Sequence, residues 1–201
     1  MTPTKFVTPE EAATYTMLQR VLHNHLATTG LSHEEALNVI LDLFCELCAL
    51  FYADICRAPG LVQDATGKTM DIPGLVRHQI HWLKRACQNR QQQPAFPYNP
   101  GKEPAPSQAH PPAPAVLQYT QALRGLLKDA SAAHQFHRVA CISIVRALLA
   151  DILASVLFTT LGNTVVDADQ VVDAHITPAL TTYLTHHGPR LARAHGHRPS
   201  A

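Results

Sequence analysis

Residues Val139 to Leu161 read VACISIVRALLADILASVLFTTL, the longest nearly uninterrupted apolar run in the chain. Its length first suggests a membrane span, for which about 20 apolar residues suffice. Arg146 and Asp151 lie near its middle, and each costs roughly 2.5–3.5 kcal/mol at the centre of a bilayer. No belt of Trp or Tyr flanks it. The run is therefore expected to be the central helix of an all-α bundle, from about His134 to Leu161, with no membrane insertion and Gly162-Asn163 as its stop.

The segments around it also read as helices. Val116, Tyr119, Leu123, Leu126 and Ala130 mark one face of a helix before it. After it, Asp167 or Asp169 is placed to cap a helix bearing Val172, Ile176, Leu180, Tyr183 and Leu184. That helix is expected to kink or break at Pro178 and to close at Gly188-Pro189.

The N-terminal half opens with two capping boxes. In Thr8-Pro9-Glu10-Glu11 the threonine hydroxyl is placed to accept from the Glu11 amide, and Glu11 to reach back to the Thr8 amide. Ser32-His33-Glu34-Glu35 repeats the device, with Leu31 set to staple onto Ala36. From there Leu37, Leu41, Phe44, Cys48, Phe51 and Ile55 step at heptad spacing, which predicts a seam for another helix. Residues 61–72 read as a small hairpin or a loop. Asp71-Ile72-Pro73-Gly74 opens a third helix with Leu75, Ile80, Leu83 and Cys87 inside.

Eight of the fifteen prolines fall between Pro94 and Pro114, a density that favours extended polyproline II over packed structure. The expected architecture is thus a bundle of about six helices in two halves joined by a Pro-rich linker. Residues 1–93 form the first half, 94–114 the linker, 115–188 the second half and 189–201 a basic, His-rich tail. The linker spans roughly 60 Å when extended, so one bundle and two subdomains both remain open.

Composition restricts function. The formal net charge is +1, with 15% charged and 46% hydrophobic residues. Such a balance gives no global pull toward nucleic acid and little repulsion against self-association. The five cysteines are an odd number, all in apolar helix-like segments, and no apolar leader follows Met1, so reduced thiols in a cytoplasmic protein are expected.

Chemical motifs are sparse. Gly67-Lys68-Thr69 lacks the first glycine of a phosphate loop, Val62 standing there. A helix-turn-helix reading of residues 26–40 would present Glu34 and Glu35 to phosphates. Cys45-Glu46-Leu47-Cys48 lies inside a helix among Phe44 and Phe51, which suits core thiols. No Gly-x-Ser-x-Gly is present. His78-Gln79-Ile80-His81 and His134-Gln135-Phe136-His137 each place two histidines at i and i+3, a set that would make a four-nitrogen metal site if their helices faced each other.

The sequence therefore predicts a non-enzymatic interaction or adaptor protein without cofactor, working through helix-face contacts at Leu37, Leu41, Phe44 and Phe51, with a protein partner or a second copy of itself. The alternative is a nucleic-acid-binding accessory protein using Arg77, Lys84, Arg85 and Arg90 of the third helix with Trp82 among them, and Arg190 and Arg193 of the tail.

Overall fold

The computed structural model describes residues 7–28, 31–58, 69–91, 113–161 and 168–196. They form α1 (Pro9–Thr28), α2 (His33–Arg57), α3 (Ile72–Gln91), α4 (Ala113–His134), α5 (Arg138–Leu161), α6 (Ala168–Val171), a π-helical turn (Val172–Ile176) and α7 (Thr177–Gly196). Since α6, the π turn and α7 follow one another without a break, the described residues make six helical rods. This is the all-α bundle the sequence predicts. Most of the expected hairpin or loop, the linker except its last two residues and the expected stop at Gly162-Asn163 lie outside the described residues.

The N-terminal caps form largely as read. The Glu11 amide donates to Thr8 Oγ1 at 3.2 Å, but the Glu11 carboxylate accepts from the Val7 amide at 3.1 Å, one residue before the expected donor. At Ser32 both arms of the box close, at 3.2 and 2.9 Å, and Leu31 and Ala36 are both buried. Asp71 Oδ1 accepts from the Gly74 amide at 2.7 Å and starts α3.

α5 is the centre. Cys141, Ile142, Ile144, Val145 and every residue from Ala147 to Leu153 are buried, so apolar neighbours surround it on nearly all sides. α1, α2 and α3 lie against it, and α2 also packs on α7. One continuous core takes Leu18, Phe44, Ile55 and Leu83 from before residues 94–114, and Tyr119, Leu123, Leu148 and Leu180 from after them. Each such Leu, Ile or Phe contributes about 1.5–3 kcal/mol by leaving water, and helices from both sides of the linker share that gain. The one acid inside α5, Asp151, is buried too; the Tyr15 hydroxyl donates to it from α1, and Gln19 Nε2 lies at 3.3 Å.

Two boundaries differ from the sequence reading. The central helix does not begin at His134: α4 runs to that residue, and Gln135 takes a positive φ of 52°. The Phe136 amide then donates back to the Ser131 carbonyl at 3.0 Å, which is a Schellman ending with glutamine in the place glycine usually takes. Nor does the last helix break at Pro178 or close at Gly188-Pro189. A proline ring inside an α-helix clashes with the carbonyl four residues back, here Ala174, and that residue lies in the π turn, where the helix is wider. The Thr177 amide and its hydroxyl both reach the Val172 carbonyl, the hydroxyl at 3.1 Å. α7 then continues through Pro189 to Gly196, so residues 189–196 are helix rather than tail.

The acids of α2 pair with the C-terminal half: Glu46 accepts from Arg124 of α4 at 2.7 Å and Asp54 from Arg138 of α5 at 2.6 Å. Lys84 of α3 meets Asp173 of the π turn at 2.6 Å, and Gln88 meets Asp169 at 3.3 Å. α3 thus runs antiparallel to the α6–α7 rod.

Candidate functional site around Trp82

The heptad seam of α2 lies within the molecule. Phe44 and Phe51 are core residues, and Leu37 and Leu41 are half-buried against that core. Heptad spacing states that a stripe needs cover; here α5 and α7 of the same chain supply it.

The histidine pairs stay apart in role. His78 and His81 place their rings 6.4 and 5.7 Å from Trp82, whereas the His134 ring stacks on Phe136 at 5.3 Å and His137 sits in the α4–α5 turn. Among the described residues no three His, Cys, Asp or Glu side chains converge as a metal set. Cys45, Cys48, Cys87 and Cys141 are buried and Cys56 is exposed, all five unpaired as thiols.

The basic residues divide. Arg77 and Arg85 are exposed on α3, Lys84 is held by Asp173, and the side chain of Arg90 lies outside the described residues. Arg190 is exposed on α7, and Arg193 Nε donates to the Pro189 carbonyl at 3.2 Å. With Lys84 opposite Asp173, Arg190 lies 17 residues further along its rod, or about 25 Å at 1.5 Å per residue, whereas Arg77 shares a groove with Thr185, only five residues or about 8 Å before Arg190.

What the fold does assemble is a cluster on the outer face of α3. Leu75, Val76, Gln79, Ile80, Leu83, Ala86 and Cys87 turn inward, which leaves His78, His81, Trp82 and Arg85 outward. Trp82 remains 41% exposed, a large value for the chain's one tryptophan. The guanidinium carbons of Arg85 and Arg146 lie over its ring at 5.3 and 5.8 Å. Arg146 comes from α5, where the sequence marks it only as a charge in an apolar run. Its Nη1 donates to Gln79 Oε1 and its Nη2 to Ser143 Oγ, both at 3.2 Å. Burial pulls its pKa below the usual guanidinium range. Burial, then Arg146 and His81, hold the His78 imidazole below its usual range, which favours the neutral form at pH 7. One to two turns before Trp82, Arg77 borders a shallow apolar groove of about 460 Å³ lined by Ile72, Pro73, Val76, Thr181 and Thr185.

Chemically this surface offers an aromatic ring, three arginines and two imidazoles. No protein-family model, curated protein or solved structure matches the chain.

Proposed function

We propose that the protein is a non-enzymatic interaction protein of the cytoplasm that docks an acidic segment of a protein partner on the outer face of α3. The observation that carries this reading is the exposed Trp82 with Arg85 and Arg146 over its ring. Trp and Arg are the residue types most enriched among interface hot spots, and cations that meet no carboxylate among the described residues, set beside an aromatic, favour an acidic partner. The five free thiols fit a reducing compartment.

Nucleic acid is the competing occupant of the same face, since Trp82 also offers a stacking surface. Arg77, Arg85 and Arg146 would neutralise about three phosphates, for a salt slope of roughly −2 to −3. That is a weak grip for a nucleic-acid-binding protein, whereas an acidic helix or loop can also use the neighbouring apolar groove. The test is fluorescence anisotropy of a labelled glutamate-rich peptide and of a labelled oligothymidine at low and high salt. Peptide binding that Trp82→Ala abolishes supports the reading. Oligothymidine binding in preference to peptide transfers the face to nucleic acid, and binding of neither removes the docking role.

A further inference from the structure

Arg146 is a guanidinium drawn half inside the fold and held by neutral groups. Gln79, itself 3% exposed, and Ser143 take one bond each, and the Trp82 ring covers part of it. A charge withdrawn from water is normally set against a counter-charge. Lys84 and Arg138 follow that rule through Asp173 and Asp54. Among the described residues no Asp or Glu pairs with Arg146. Cys48, the nearby group that could carry a negative charge, stays a neutral thiol because burial pushes its pKa far up. Arg85 at the same ring adds positive potential, and the His78 and His81 rings lie beside that ring as well.

We propose that Arg146, His78 and Trp82 form an anion pocket that receives one carboxylate side chain of the acidic partner. The proposal rests on the docking reading above and names its anchor. Gln79 and Ser143 occupy two of the five guanidinium donors and fix the plane of the fork, so an entering carboxylate meets the remaining N–H groups already oriented. His78, whose ring lies 6.4 Å from that of Trp82, supplies a second donor. The ion pair forms at the edge of the fold, where partial burial makes it stronger than a pair in open water.

Because Trp82 is the one tryptophan, tryptophan emission, excited selectively beyond the absorbance of the five tyrosines, reports on this pocket alone. The full chain is titrated at low salt with a capped glutamate-rich peptide, its glutamine counterpart and inorganic phosphate. The glutamate peptide is expected to give a saturable change and the glutamine peptide none. Arg146→Gln should weaken the glutamate peptide at least tenfold, with Arg146→Lys intermediate because it keeps the charge and loses the fork. His78→Ala, at an exposed position that the core does not depend on, should weaken it several-fold even if Arg146→Gln fails to fold. Wild-type affinity in both Arg146→Gln and His78→Ala, with binding still lost in Trp82→Ala measured by peptide anisotropy, overturns the pocket and leaves the docking face standing. No peptide binding to the wild type overturns both. Saturation by phosphate and not by peptide overturns the carboxylate assignment.

Discussion

The ring of Tyr52 on α2 occupies the space where Gly188 of α7 would carry a side chain: a Cβ there would stand 2.9 Å from Tyr52 Cδ1. The glycine that reads as a helix stop is thus a point of close approach between two helices. Gly188→Ala should gain about 1 kcal/mol of helix propensity yet lose more to the clash, for a net destabilisation of about 1–2 kcal/mol. Urea denaturation measures it, and Tyr52→Ala in the same chain should turn the alanine from a loss into a gain.

Tyr15→Phe removes the hydroxyl that donates to buried Asp151. A buried carboxylate left short of a donor costs about 1–3 kcal/mol, which should appear as a lower urea midpoint at unchanged slope. Gln19→Ala, whose amide lies at 3.3 Å in a half-exposed position, should cost less, about 0.5–1 kcal/mol.

Thiol reactivity should divide four to one. Burial pushes Cys45 and Cys87 up to about 12 and Cys48 higher still, and Cys141 is buried, while Cys56 is exposed. Only a thiolate attacks. Titration of the native protein with an aromatic disulfide reagent near pH 8 should therefore show one fast thiol, lost in Cys56→Ser, and the remaining four only after unfolding.

Stability should fall on mild acidification. Burial lowers the pKa of His23, and burial with Arg146 and His81 lowers that of His78, both from 6.5. The unfolded chain therefore binds more protons than the folded one in the window just below 6.5. Their contribution is complete above that value and is lost as pH falls through the lowered ones. Urea midpoints measured from neutral pH down to about pH 5 should decline, and the slope should flatten in His23→Gln with His78→Gln.

Local signals in the sequence were sufficient where the physics is local. The hydroxyl and carboxylate of each capping box lie three residues apart, so Thr8, Ser32 and the starts of α1 and α2 are legible without tertiary knowledge. The apolar density of 139–161 likewise identifies a helix that must be surrounded. The place of the α4–α5 break was misread by a few residues, because Gln135 adopts the left-handed conformation that sequence reading assigns to glycine. Pro178 reads as a kink or break and Pro189 as a stop because nothing in their neighbourhood announces a π turn or a helix that absorbs a proline. The α2 stripe carries period and no address, so Phe44 and Phe51 read as a surface until α5 and α7 are seen to cover them. Arg146 was hardest, since its meaning depends on Gln79, 67 residues away, and on Trp82.

The most direct test of the docking face is the indole N–H resonance of Trp82, a single cross-peak in a nitrogen–proton correlation spectrum because the chain has one tryptophan. Titration with the capped glutamate-rich peptide at low salt should move that peak saturably, with the same affinity that peptide anisotropy gives. A peak that stays in place while the labelled peptide binds would put the acidic partner elsewhere on the molecule and contradict the account.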